Sequence, residues 1–332
     1  NPALPSAVSK LATDWNLMCR FQTLLIVSLL ISPSAAADKN APPTVTGRML
    51  EGVIDFHVHS GPDSFTRSIL DFEVASIAKR EGMRALVLKN HFTMTADRAV
   101  LAEKISGQLC FGGIVLNRAV GGLNAAAIEK MLTFSGDRAR VVWLPTFDAE
   151  NHVQRFGDKR PFVRVVEDGK PVPELAEIFQ LCAQHKLVLC TGHSSAEECL
   201  LLIAAARKAR VDRILVTHAM ADPIRMTIEQ LKSATELGAK IECVWLTNLQ
   251  GPKSHQPGMR NWKHVSTAEY AKAMREVGVE HFVLASDLGQ YLNPIHTDGL
   301  KAFILGLKEQ DFSDQEIRTM TSTTPAWLLG LE

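Results

Sequence analysis

The sequence has no surplus of either charge: 36 lysines and arginines balance 36 aspartates and glutamates over 332 residues. A chain without a bulk positive field does not gather phosphate backbones or anionic lipid. Nucleic acid is therefore not an expected partner, and the basic pair Lys159-Arg160 is diluted by Asp158 and Pro161. Cysteine is scarce as well. Of six, five lie beyond residue 37 (Cys110, Cys182, Cys190, Cys199 and Cys243), without the regular spacing of a disulfide framework. Cys110, Cys190 and Cys243 sit in apolar runs, where free cysteine packs as a small hydrophobe. No Gly-x-Ser-x-Gly elbow occurs, and Gly192-His193-Ser194-Ser195 does not replace one, which argues against a serine esterase. Low-complexity tracts are absent, and no apolar run reaches the roughly 20 residues of a membrane-spanning helix.

The apolar run Phe21 to Ile31 follows Met18-Cys19-Arg20 and precedes Ser34-Ala35-Ala36-Ala37-Asp38. A short cationic stretch, about a dozen apolar residues and a small-x-small site before Asp38 form the pattern of a secretory signal peptide. The expectation is a secreted or periplasmic protein, with no membrane association after cleavage near Ala37 and Asp38. Residues 1–37 are read as leader and signal peptide, and 38–332 as one folded domain. Residues 1–17 precede Met18 and carry no targeting logic.

From residue 50 onward, short β-branched apolar runs alternate with stretches of helical period, the pattern of repeated βα units around a parallel sheet. The runs are Gly52 to His57, Ala85 to Lys89, Leu109 to Leu116, Val141 to Leu144, Leu187 to Thr191, Arg213 to Thr217, Lys240 to Trp245 and His281 to Ala285. Between them lie amphipathic segments such as Phe72 to Glu81, Ala125 to Phe134, Val172 to His185, Ala196 to Ala209, Thr227 to Leu237 and Thr267 to Val277. Eight such strands predict an α/β fold, a single (β/α)8 TIM barrel. Ser195 before Glu197-Glu198, and Ser313 three residues before Glu316, read as helix starts, the second as a capping box. Gly82, Gly238 and Gly278 fall where helices should end. Two long connections follow strands four and seven and are read as lid-like insertions, Phe147 to about Pro173 and Thr247 to about Ser266. The first holds Phe162 to Val166 and then Glu167-Asp168-Gly169-Lys170, a hairpin with an Asp-Gly turn.

Side chains at i and i+2 of a strand share a face, so His57 and His59 can chelate one cation. Alone that spacing is weak. Its value rises because His193 follows strand five, His218 follows strand six and Asp287 follows strand eight. A barrel would bring these five metal-competent side chains to one mouth. In this order they resemble the amidohydrolase superfamily over nearly all of residues 50–332, within a poorly characterised amidohydrolase-like branch. The closing Thr324-Pro325-Ala326-Trp327-Leu328-Leu329-Gly330-Leu331 is similar to the terminal helix of many members.

The resemblance implies a metal-dependent hydrolase acting on a small-molecule substrate, with His57, His59, His193, His218 and Asp287 as ligands. It also implies that Asp287 takes a proton from the attacking water and passes it to the leaving group. Neutral imidazoles and carboxylates suit a divalent ion, most simply zinc, with manganese, iron or nickel as alternatives. Such an ion lowers the pKa of bound water from about 15.7 to about 7.

The chain departs from binuclear members at strand four, whose end, Leu144-Pro145-Thr146, offers neither lysine nor glutamate as a bridge. One metal position is therefore well supplied, while a second depends on Lys89, at the end of strand two. Lys89 reads either as a displaced carbamylated bridge, as a catalytic cation for substrate or oxyanion, or as a paired structural lysine. His91, Asn117 and Gln290 are the candidate substrate-binding residues. Asp148, His152, Glu242 and Asn293 are lesser rim candidates; Glu242 in strand seven would need a partner if it faced the interior. His185, His255, His264, His281 and His296 read as surface or loop residues.

A lactone or ester is the first expected substrate, since exported or broad-specificity members of the superfamily include phosphotriesterase-like lactonases. An amide or cyclic amide follows, then a decarboxylase on the same ligands. A phosphoesterase of the polymerase-and-histidinol-phosphatase type is disfavoured, because Leu288-Gly289 follows Asp287 where that family closes with Asp-x-His. A metal-binding barrel without catalysis is the non-enzymatic alternative. Association into a homo-oligomer is left open.

Overall fold

The computed structural model describes residues 48–332; the leader and signal-peptide reading lies outside them. Eight parallel strands form the sheet: β1 (Ile54–His59), β2 (Ala85–Lys89), β3 (Cys110–Val115), β4 (Ala139–Trp143), β5 (Val188–Cys190), β6 (Ile214–Val216), β7 (Lys240–Val244) and β8 (Phe282–Ala285), hydrogen-bonded in that order. The amides of Asp287 and His59 donate to the carbonyl oxygens of His57 and Leu288, and so bring the end of β8 back to β1. Helices α1 (Asp71–Arg80), α2 (Ala96–Ser106), α3 (Ala125–Leu132), α4 (Glu150–Arg155), α5 (Leu175–Gln184), α6 (Ala196–Lys208), α7 (Ile228–Glu236), α8 (Thr267–Val277), α9 (His296–Lys308), α10 (Asp314–Arg318) and α11 (Thr324–Leu329) complete the (β/α)8 barrel. No described helix is long and apolar enough to cross a membrane.

The strands are nearly continuous apolar runs because both of their faces are buried. Ile54, Ala85, Phe111, Val141, Val188, Leu215, Val244 and Val283, one from each strand, fill the interior, and Leu328 and Leu329 of α11 join that cluster. Alternate residues such as Leu86, Val142, Leu189 and Leu284 pack outward in a second cluster, with Ile128, Ile203 and Phe303 of the helices. Each such side chain taken from water contributes roughly 1.5–3 kcal/mol.

One irregularity matters for the site. Ile54 and Phe56 face the interior, whereas Val58 packs outward, and the register of β1 against β2 shifts between Asp55 and Val58. A bulge of this kind re-aims side chains. Here it places His57 and His59 on the interior side, at the mouth.

The local signals hold. Ser195 with Glu198, and Ser313 with Glu316, form reciprocal capping boxes on α6 and α10. Val166–Glu167 pairs antiparallel with Lys170–Pro171, and the turn residues Asp168 and Gly169 have φ of 49° and 71°. Two consecutive left-handed residues are the hairpin turn an Asp-Gly pair favours. The insertion after β4 carries α4 and this hairpin; that after β7 carries two short turns of helix, Trp245–Leu249 and Pro257–Met259. Residues of both insertions reach the mouth of the barrel.

Candidate metal centre

β1 delivers His57 and His59, β2 ends at Lys89, and His193, His218 and Asp287 follow β5, β6 and β8; all six are buried. His57 Nε2 stands 3.1 Å and His59 Nε2 3.2 Å from Asp287 Oδ1. Glycine permits the close turns. Gly192, with φ of +64°, precedes His193, and a Cβ there would overlap the carbonyl oxygen of Leu144. Gly289, with φ of +122°, lies against the His59 carbonyl. His218 and Asp287 themselves hold left-handed backbone, φ 26° and 52°, which is strain of the kind retained at functional sites.

The ring protons are assigned from their partners. His59 Nδ1 lies 3.1 Å from the Lys89 carbonyl oxygen, an atom that only accepts, so Nδ1 carries the proton. His57 Nδ1 lies 3.2 Å from both carboxylate oxygens of the wholly buried Glu242 and donates there. Both Nε2 atoms therefore present lone pairs toward Asp287. Three electron-rich atoms at this spacing repel one another unless positive charge, a proton on Asp287 or a cation, stands among them. Lys89 Nζ, 3.0 Å from His57 Nε2, supplies part of it. Two neutral imidazoles and a carboxylate within 4.8 Å of one another suit a divalent metal ion.

Burial pushes the imidazoles of His57, His59 and His193 well below their usual range, which keeps them neutral and able to ligate. It pushes the Asp287 carboxyl up to about 8, against the pull of Lys89, and it lowers the Lys89 ammonium. A divalent cation works in the opposite sense on Asp287 and restores the carboxylate. Glu242 is also raised by burial, and its Oε2 accepts from the His218 backbone amide at 2.9 Å. Facing the interior, it has the partners that the sequence argument required.

The second pair is held differently. His193 Nε2 and His218 Nε2 are 3.2 Å apart, and His193 Nδ1 meets His152 Nδ1 at 2.8 Å. His218 Nδ1 is buried with no hydrogen-bond partner. The His57 and His218 rings lie 6.1 Å apart, so this pair adjoins the first group.

The other sequence candidates divide. His91 lines the cavity and stacks on His59 with ring centroids 4.8 Å apart. Gln290 also reaches the wall, with Nε2 donating to the Asp287 carbonyl oxygen and Oε1 accepting from Asn293. Asn117 does not reach it. Its Nδ2 donates to the His91 carbonyl oxygen and to Thr146 Oγ1, and its Oδ1 accepts from the amides of Thr146 and Asp148, so its amide is spent on holding strand ends together. The structure thus corrects Asn117 from a substrate partner to a structural one. Asp148 accepts from the Arg118 amide and from Arg160 Nη1. His296 is a second correction: it is buried, and its Nε2 donates to the His59 carbonyl oxygen at 2.8 Å. His255, in the second insertion, is exposed yet lines the cavity. Arg67, which no sequence signal singled out, stands in the cavity wall beside His59.

The cluster floors a cavity of about 810 Å³. Phe65, Phe92, Phe147, Phe156 and Trp262 give it aromatic walls.

The model of a family of unknown function, DUF6282, matches residues 52–242. No curated protein matches the sequence. Among solved structures, the organophosphorus hydrolase of Deinococcus radiodurans superposes with a TM-score of 0.55 at 14% identity, covering 85% of this chain and 93% of its own. A protein of Pseudomonas putida assigned as a 2-pyrone-4,6-dicarboxylic acid hydrolase gives 0.53 at 16%, covering 85% and 98%. An organophosphate hydrolase engineered from a weak promiscuous lactonase template gives 0.55 at 15%, covering 85% and 97%. At these identities the likeness establishes the barrel fold.

Proposed function

Because the chain belongs to DUF6282, a family of unknown function that brings no assigned chemistry with it, we propose an activity from the site itself: metal-dependent hydrolysis of a small carboxylic acid derivative, a lactone or ester first. What carries it is the convergence of two unprotonated Nε2 atoms and a carboxylate oxygen at the barrel mouth, at 3.1 and 3.2 Å. The pattern is that of the amidohydrolase superfamily, whose barrel the solved neighbours share.

His57, His59 and Asp287 would hold the metal, most simply zinc, and His193 and His218 would offer a second position. A divalent cation there would supply Lewis acidity toward the substrate carbonyl and would lower the pKa of water to about 7. Asp287 takes the proton of the attacking water on its carboxylate and delivers it to the leaving group. Lys89 Nζ, 3.0 Å from His57 Nε2 and 5.3 Å from the centre of the Trp143 ring, offers positive charge to the oxyanion that develops. Thr146 Oγ1 accepts from Asn117 and stands 2.9 Å from His91 Nδ1, which holds the His91 ring in the cavity wall for contact with the substrate. The insertions after β4 and β7 act as lids whose aromatic side chains exclude water. The leader directs the enzyme to the periplasm or the medium, which N-terminal sequencing of the mature protein tests.

The neighbours' printed activities, organophosphorus hydrolysis and a lactonase template, support testing lactones and organophosphates together. Metal-loaded protein should turn over lactones or aryl esters, and Asp287→Asn should cut that turnover by about 10³. Activity undiminished by Asp287→Asn contradicts the reading.

A further inference from the structure

Arg67 lies in the loop between β1 and α1, and its backbone bridges antiparallel to Gln290, three residues beyond Asp287. The neighbouring Ser68 amide donates to the Gly289 carbonyl oxygen at 3.0 Å. The loop is thus pinned to the segment that carries Asp287. The Arg67 side chain is only 5% exposed, yet it lines the cavity.

A guanidinium has five N–H donors and no acceptor, so its partners can be counted. Nε donates to Asp63 Oδ2 at 2.7 Å, and the Asp63 side chain is itself fully buried. Nη2 lies 3.3 Å from His59 Nδ1. That contact is not a hydrogen bond, because His59 Nδ1 already carries the proton that it donates to the Lys89 carbonyl oxygen. Nη1 has no hydrogen-bond partner among the described residues. The Nη1–Nη2 edge is therefore unspent, open to the cavity and beside the proposed metal position. Such an edge matches a carboxylate, which accepts two parallel N–H bonds in its plane. Phe65 lies under the guanidinium at 5.6 Å, and His91 and Phe147 pack nearby with ring centroids 4.3 Å apart and their planes tilted by 51°. Aromatic side chains beside one cationic fork fit an unsaturated ring acid.

We infer that Arg67 is a specificity-determining residue which takes a carboxylate of the substrate, so that the hydrolysed lactone or ester belongs to a planar, carboxylate-bearing molecule. This rests on the hydrolase reading. Asp63 holds the fork in place, and the bound anion leaves the scissile carbonyl over His57, His59 and Asp287.

The test pairs a carboxylate-bearing unsaturated lactone with its carboxamide isostere, using metal-loaded wild type, Arg67→Met and Arg67→Lys. Wild type should favour the carboxylate roughly 10- to 100-fold in kcat/KM, the span that a charge-assisted hydrogen bond supplies. Arg67→Met should erase the preference, mainly by raising KM for the carboxylate substrate. Arg67→Lys keeps the Asp63 ion pair but loses the fork, so it should fold as wild type and keep only part of the preference. A preference that survives in Arg67→Met overturns the inference. Calorimetric binding of benzoate against benzamide separates the two readings, since it needs no turnover. If no lactone is hydrolysed, the hydrolase reading fails while benzoate binding that depends on Arg67 still supports the carboxylate site. Benzoate binding equal in wild type and both variants overturns it.

Discussion

His57 and His59, on β1, each hold the outer ring nitrogen against an oxygen, while His193 and His218, beyond β5 and β6, do not. The outer nitrogen of His57 meets the Glu242 carboxylate and that of His59 meets a backbone carbonyl oxygen. Each ring then has one tautomer, with its metal-facing lone pair prepared before any ion arrives. His193 instead meets another imidazole, His152, with which it can exchange donor and acceptor roles, and His218 Nδ1 meets nothing. The same residue type in one cavity is thus preorganised in one half and adaptable in the other. The first half should bind metal tightly and the second weakly.

The comparison can be broken by removing one element at a time. Asp287→Asn should have the largest effect, a loss of about 10³ in kcat/KM, because Asp287 is both ligand and proton carrier. Steady-state kinetics on the hydrolysed substrate checks it, and a loss confined to KM would place Asp287 in binding alone. Glu242→Gln comes next. Removing the charge behind His57 should weaken the first metal position about 10- to 100-fold by chelator competition, while His152→Phe should leave that position unchanged. Equal losses from both variants would erase the asymmetry. His218→Ala should abolish only the weaker equivalent in a metal titration. The smallest effect belongs to Ser195→Ala, which removes the cap of α6 just beyond His193. It should cost about 1 kcal/mol, seen as a drop of a few degrees in Tm without change in the first metal constant.

Much of this was legible in sequence because parallel strands buried on both faces are written as β-branched runs, and because strand ends are where a barrel gathers its ligands. The helical period passes over α2, whose buried stripe is Ala96, Ala99 and Ala102, too small to stand out against its surroundings. The face of Glu242 was undecidable for a related reason: β7 is buried on both sides, and the partner that stabilises Glu242 lies 185 residues away on β1. Asn117 was placed correctly at a strand end, but its direction depends on Thr146 and Asp148. His296 begins a helix, where exposure is the ordinary expectation, yet it is buried by its bond to β1. Arg67 left no signal at all. An arginine in a polar loop gains meaning only when the loop folds over the mouth.

The most direct test is a calorimetric titration of chelator-stripped protein with zinc, in wild type and in the His57→Ala/His59→Ala double variant. One tight equivalent in wild type, lost in a double variant that still melts cooperatively, is the predicted result. No zinc binding in wild type, or an undiminished tight equivalent in the double variant, would contradict the metal centre assigned to His57, His59 and Asp287.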